Sequence, residues 1–139
     1  MDPRTNPDHL VFGRQITYFE EPDIIFLKFK GECTDMEGME MLRRQRQYAA
    51  GRDGLFFLID AAELDGISPA ARKAVAETLK DIPLHGMAVY AAPLKAKVLI
   101  KLMITAVNLF RQDASTNPVE FFATEQGARD WLASRRQTH

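Results

Sequence analysis

Three carboxylates and a hydroxyl lie close together in the chain, at Asp60, Glu63, Asp65 and Ser68. Asp60 directly follows the apolar run Leu55–Ile59, so these side chains should lie beyond the carboxyl end of a strand, where open α/β sheets usually bind ligands. A hard cation needs oxygen ligands from several directions, and neither an EF-hand loop nor a second acidic cluster is present. The sequence therefore predicts a solvated loop at the ligand-facing edge, with no metal site and no cofactor.

Ser68 precedes Pro69, and this pair is typical of a helix start. The serine hydroxyl can accept a hydrogen bond from a free backbone N–H, and proline fits the first helical position. A phosphate on Ser68 would be stabilised at the positive end of the helix dipole. Ser68 is therefore predicted to cap a helix, and it is a candidate phosphorylation site.

The sequence contains no group of residues that forms a catalytic constellation. His9, His85 and His139 are far apart in the sequence, His85 next to Gly86 is interpreted as a turn residue, and Cys33 is interpreted as a plain thiol near a strand end. A general base needs a nucleophile and an orienting partner within reach. The sequence also lacks a phosphate-binding loop, a dinucleotide fingerprint and a nucleophile elbow. An enzyme is not expected.

The composition is that of an ordinary globular domain, with 139 residues, 46% hydrophobic and 27% charged. The net charge of -1 disfavours binding to nucleic acid. A single cysteine rules out an internal disulfide, and the start of the chain lacks an apolar secretory signal, so a cytoplasmic location is expected. The longest apolar stretch, Val98 to Phe110, is too short to cross a bilayer.

The chain alternates between strand and helix signals after a loose tail over residues 1–8, and residues 9–139 are predicted to form one domain. The pattern predicts a single-domain α/β fold with a mixed, mostly parallel five-stranded sheet and four helices, in the order β-β-α-β-α-β-α-β-α, including one antiparallel edge strand. The predicted strands are Val11–Phe19, Ile24–Phe29, Leu55–Ile59, Met87–Tyr90 and Val119–Phe122. The predicted helices begin near Thr34 or Asp35, at Ser68–Pro69, at Pro93 and at Thr124.

Three short segments strengthen this interpretation: 57–60 (FLID), 67–72 (ISPAAR) and 121–125 (FFATE), the last followed by Trp131 and Leu132. With them, the chain from about 11 to 136 resembles the SpoIIAA-like proteins, which are grouped with the STAS and Sec14-type lipid-binding folds. The resemblance implies an interaction module in which a strand ends in an aspartate and a serine at the next helix start is phosphorylated. Asp60 and Ser68 match those positions, although Asp65, Gly66 and Ser68 differ in order from the usual Asp-Ser-x-Gly string. The resemblance therefore implies Ser68, Asp60 and Asp65 as the candidate phosphorylation switch. The lipid-binding members imply a carrier of an apolar ligand.

The helix predicted from Pro93 to Gln112 carries more apolar surface than one sheet face normally covers. Lys97, Lys101, Thr105, Asn108 and Gln112 form a polar stripe, and the opposite face includes Leu94, Val98 and Leu102. Ile100, Ile104 and Val107 extend the apolar arc beyond that face. A partner helix, a second copy, an acyl chain or a neighbouring element of the same domain could cover them. The predicted partner or apolar-ligand surface is therefore Lys97, Ile100, Lys101, Ile104 and Val107.

A second candidate surface is basic. Arg43, Arg44 and Arg46 lie on the first helix and Arg52 lies just beyond it, where they could bind an acidic partner or a phosphate group, or simply form a solvated helix face. Taken together, the sequence predicts a non-enzymatic regulatory or protein-interaction module, with a homodimer possible. The alternative is a carrier or sensor of a small lipid or apolar ligand.

Overall fold

Ten segments of regular structure follow the predicted alternation. The structure is a computed structural model that describes residues 10–12, 15–52, 54–79, 82, 84–110 and 119–137, so the predicted tail lies outside the described residues. The strands are β1 (Leu10–Phe12), β2 (Gln15–Glu20), β3 (Ile24–Cys33), β4 (Leu55–Ile67), β5 (Leu84–Tyr90) and β6 (Val119–Phe122). The helices are α1 (Asp35–Ala49), α2 (Pro69–Leu79), α3 (Leu94–Phe110) and α4 (Glu125–Arg136).

The strands form one sheet in the order of the sequence, β1-β2-β3-β4-β5-β6. β3 to β6 are parallel, whereas β1 pairs with β2 and β2 with β3 in antiparallel fashion. The predicted α/β class with a mostly parallel sheet and four helices is confirmed. The predicted first strand is instead two strands, because Leu10–Phe12 and Gln15–Glu20 pair with each other in antiparallel fashion, with Phe12 opposite Gln15. The antiparallel strand β2 is therefore second from the edge.

Both faces of the sheet are covered, but unequally. Phe57 and Ile59 of β4 belong to a core shared with α1, α2 and α3, which we call the three-helix face. Phe56 and Leu58 point to the other side, where Ala128 of α4 packs; this is the one-helix face. Each of the three parallel crossovers leads to the next strand in the same direction across the sheet. Because such crossovers share one handedness, they place α1, α2 and α3 on the same side of the sheet.

The helix starts are set by side-chain caps. Thr34 caps α1 in a capping box with Glu37, and the Thr124 hydroxyl accepts from the Gly127 N–H at the start of α4. The Ser68 hydroxyl accepts a hydrogen bond from the Ala71 N–H at 3.2 Å. The caps predicted at Ser68 and Thr124 are thus confirmed, and Thr34 rather than Asp35 caps α1.

Two arginine–carboxylate pairs attach α4 to the β2–β3 hairpin. The Arg129 guanidinium donates to both carboxylate oxygens of Glu20 at 2.7 and 3.0 Å. Arg136 donates to both oxygens of Asp23 at 2.6 and 3.0 Å. Paired contacts of this kind fix orientation as well as distance. They therefore set how α4 lies across the one-helix face.

The orientation of α3 differs from the sequence prediction. Ile100, Ile104 and Val107 are 1%, 4% and 0% exposed, because they pack in the core of the three-helix face. The predicted exposed flank at these residues is therefore wrong. The exposed apolar side chains are instead Leu94, Val98 and Leu102, at 78%, 50% and 59%. Of the predicted surface residues, Lys101 is exposed and Lys97 is half-buried.

We expect Ile100→Ala to lower the free energy of unfolding by about 2 to 5 kcal/mol, because it opens a cavity in the core. Leu102→Ala should change it by roughly 0.5 kcal/mol or less, because that side chain is mostly exposed. Urea denaturation monitored by circular dichroism measures both. Similar losses for the two variants would contradict the helix orientation described above.

Candidate functional site: an exposed surface on α2 and α3

Three aliphatic side chains follow one another along the outer side of α3. Leu94, Val98 and Leu102 are spaced four residues apart, so they line one side of the helix and form what we call the apolar stripe. Sequence reasoning placed them in the core. One feature of the sequence does indicate an exposed side here. Leu94, Val98, Lys101 and Thr105 follow one another at intervals of three or four residues, so they share one side of the helix, and Lys101 and Thr105 are polar.

Beside the apolar stripe lies a groove between α2 and α3, with a volume of about 350 Å³. We call it the α2–α3 groove. Leu102, Met103 and Ala106 line its α3 side, and Pro69, Lys73 and Ala76 are among the residues of its α2 side. Leu102 belongs to both the stripe and the groove, so the two form one continuous surface.

The polar residues around this surface are mainly basic. Arg72 and Lys73 lie on the α2 side together with Glu77. On α3, Lys95 and Lys101 are exposed, and the Lys101 ammonium lies 5.4 Å from the centre of the Phe121 ring. Clustered lysines and arginines around exposed aliphatic side chains favour an acidic, partly apolar ligand surface.

The candidate switch residues do not come together. The carboxylates predicted in a loop lie within β4, which continues to Ile67 and pairs with β3. That loop prediction is therefore wrong. Asp60 and Ser68 are eight positions apart along an extended chain, a separation on the order of 20 Å. Asp65 is exposed, while Ser68 is half-buried at the start of α2, next to the Pro69 end of the α2–α3 groove.

Asp60 already has partners in the structure. Its Oδ2 lies 3.3 Å from the Lys28 ammonium, and its Oδ1 accepts a hydrogen bond from the Ala62 N–H at 3.1 Å. The ammonium of Lys28 also lies 3.9 Å from a carboxylate oxygen of Glu63. Asp60 thus stabilises the pairing of β3 with β4. The phosphorylation of Ser68 stays a prediction.

The arginines of α1 do not act as one cluster. Arg43 pairs with Glu40 at 3.0 Å, and Arg46 donates to the Thr78 hydroxyl on α2 at 3.1 Å. Arg52 lies apart, near the β2–β3 turn, where its guanidinium donates to the Pro22 carbonyl.

His85, predicted in a turn, lies within β5. Its prediction as a turn residue is therefore wrong.

A small apolar cavity lies between the sheet and the helices of the three-helix face. Its volume is about 50 Å³, and Cys33, Met41 and Ile100 are among its lining residues. An engineered apolar cavity of about 150 Å³ accommodates benzene. An acyl chain would therefore not fit this cavity unless the core repacked around it.

Cys33 is buried at the end of β3, as expected for a plain thiol near a strand end. Burial, with smaller contributions from Glu37 and Glu32, raises the pKa of the thiol from 9.0 to about 11. A thiol that stays protonated is a weak nucleophile. Cys33 is therefore a core residue rather than a reactive one.

The strand order and the placement of helices define a protein of the SpoIIAA-like fold. A solved structure with the same fold is that of an uncharacterized protein of the DUF3478 family from Shewanella loihica PV-4, with a TM-score of 0.59. It is 24% identical, and the match covers 84% of this chain and 90% of that chain. No protein-family model and no curated protein matches the chain. The predicted resemblance to SpoIIAA-like proteins is confirmed at the level of fold.

Among the described helices, none combines the length and the apolar character that crossing a membrane requires.

We expect the stability of the protein to fall between pH 9 and about 11 through Cys33. In the unfolded chain the thiol ionises near its ordinary pKa of 9.0, whereas in the folded protein it stays protonated up to about 11. The unfolded state therefore releases its proton first, and rising pH favours unfolding by up to about 2 kcal/mol.

Urea denaturation of the wild type and Cys33→Ala across this pH range measures the effect. Tyrosine and lysine titration is common to both proteins, so the difference between their curves isolates the thiol. Parallel curves would contradict the prediction.

Proposed function

We propose that this protein is a non-enzymatic interaction module that binds a partner protein through the apolar stripe and the α2–α3 groove. The observation that carries the proposal is the exposure of Leu94, Val98 and Leu102 beside a concave surface. Fully burying one such side chain contributes about 1.5 to 3 kcal/mol. A contiguous set of exposed aliphatic side chains is typical of an interface.

The chemistry of the surface favours one kind of partner, an amphipathic helix with acidic residues beside its apolar positions. A groove between two helices accepts the side chains of a third helix, which is a common mode of peptide recognition. Lys73, Lys95 and Lys101 would lie opposite the acidic residues of that partner. A flat anionic membrane would satisfy the charges but would leave the groove unfilled.

A second copy of this chain fits the surface less well. A two-fold dimer brings the same patch of each subunit together. The lysines and arginines of the two patches would then face one another, and like charges in apposition oppose association. The proposed partner is therefore a different protein.

Ser68 offers a way to regulate this interaction. A phosphate on its hydroxyl would add about 1.5 to 2 negative charges at the start of α2. That position adjoins Pro69 and lies on the same helix as Arg72 and Lys73, so the added charge would weaken attraction to an acidic partner. The resemblance to STAS-type modules supports this role for Ser68.

A photo-crosslinking amino acid at position 98 tests the proposal in cells. We expect it to crosslink a distinct protein, and the same group at the exposed position 134 on α4 should not. The crosslinked protein is then purified and its affinity measured. Val98→Glu should weaken binding about tenfold or more, because it places a charge in an apolar contact, whereas Ser134→Glu should leave the affinity unchanged.

Several outcomes would contradict the proposal. Crosslinks from position 98 only to another copy of this chain would indicate self-association. Sedimentation of the protein with phosphatidylserine vesicles, lost in Val98→Glu, would indicate a membrane surface instead. A purified partner that binds Val98→Glu as tightly as the wild type would place the interface elsewhere.

A further inference from the structure

A second concave surface lies at the end of the sheet where the parallel strands β3, β4 and β5 begin. It has a volume of about 390 Å³ and lies between the β2–β3 turn, the segment before β4 and the end of α4. We call it the basic cleft, and its chemically distinctive lining residues are Asp23, Arg52, Gly54, Phe56, His85 and Arg136. Sites for small molecules typically have volumes of about 300 to 1,000 Å³.

Arg52 provides a positive charge that is held in place. Its Nε donates to the Tyr48 carbonyl at 2.7 Å, its Nη1 donates to the Pro22 carbonyl at 3.4 Å, and its guanidinium lies 4.0 Å from the centre of the Phe19 ring. These contacts orient the guanidinium, and none of the three is made to a carboxylate. Among the described residues, none of the ion pairs includes Arg52.

Arg136 lies on the α4 side of the same cleft. It is bound to both oxygens of Asp23, and its guanidinium carbon lies 5.9 Å from the centre of the Phe56 ring. Its side chain is 40% exposed, so the pair still faces the cleft. Among the described residues that line the cleft, Arg52, Arg136 and Asp23 together carry one net positive charge, with His85 left out of the count.

His85 forms part of the wall, and the residue opposite it must be small. A Cβ at position 54 would overlap the imidazole, so glycine at this position leaves room for the ring. The imidazole packs edge-on against Phe56, with ring centres 5.7 Å apart. The Arg135 Nε donates to the His85 carbonyl at 3.0 Å and connects this residue to α4. Two guanidinium groups and an imidazole therefore border one open space.

We propose that the basic cleft binds a phosphate group, with Arg52 as its main charge partner and His85 and Arg136 as further donors. A phosphate offers three or four acceptor oxygens, which suits donors on several walls better than the two oxygens of a carboxylate. The volume exceeds that of phosphate alone, so the ligand class is a small phosphomonoester. This site is separate from the α2–α3 groove and does not depend on the proposed partner.

Histidine resonances in proton NMR spectra can follow binding directly, because the chain has three histidines. Inorganic phosphate and phenyl phosphate are titrated separately at constant ionic strength, and His85→Gln identifies the His85 signal. We expect a saturable shift of that signal with both probes. Tighter binding of phenyl phosphate would assign the rest of the cleft to the organic part of the ligand, and equal binding would assign the site to the phosphate alone.

Arg52→Gln should weaken binding about tenfold or more, since it removes a charge-assisted hydrogen-bond donor. Arg52→Lys keeps the charge but loses the planar fork, so an intermediate loss is expected. Arg43→Gln is the matched control, because Arg43 is an exposed arginine on α1 outside the cleft. Gly54→Ala, which displaces the imidazole, should also weaken binding.

Circular dichroism of each variant checks that it is folded. The absence of a saturable His85 shift would overturn the proposal. So would shifts confined to His9 and His139, or equal affinity in folded Arg52→Gln and wild type. None of these results bears on the α2–α3 groove, so failure here is distinguishable from failure of the proposed function.

Discussion

Burial of the first part of β4, Leu55–Ile59, on both faces is the constraint on which the rest of the structure depends. Phe56 and Leu58 alternate with Phe57 and Ile59, and all four are almost fully buried. A strand segment that is buried on both faces must lie inside the sheet and between two helical layers. The sheet therefore needs strands on both sides of β4 and helices both above and below it. The chain meets the first need with consecutive parallel crossovers and the second with α4.

The two helical layers differ in how they are held. The three-helix face is a continuous apolar core, so its helices are stabilised mainly by burial. The one-helix face is smaller, and α4 adds paired contacts from Arg129 to Glu20 and from Arg136 to Asp23. These contacts join the end of the chain to the first hairpin. The same attachment places Arg136 on the wall of the basic cleft, which Arg52 also lines.

The outer side of α3 combines features that stability alone does not require. Its inner side carries Ile100, Ile104 and Val107 into the core, and that burial is sufficient to hold the helix on the sheet. Leu94, Val98 and Leu102 are half or more exposed, so polar residues there would lose much less packing than in the core. These exposed aliphatic side chains at regular spacing are the reason that we propose contact with another molecule at this surface, and the surrounding lysines are the reason that we propose an acidic one.

The sequence by itself determined the order of strands and helices apart from the division of the first strand into β1 and β2, and also the caps at Ser68 and Thr124, the mostly parallel sheet and the resemblance in fold. Periodicity, turn residues and capping hydroxyls act over a few neighbouring positions, so they can be read from the chain. Only the tertiary structure decided which side of α3 is buried, because its apolar residues cover too wide an arc for periodicity to select one. The basic cleft likewise joins Asp23, Arg52, His85 and Arg136 across long separations in sequence, and such proximity arises only when the sheet and α4 pack together.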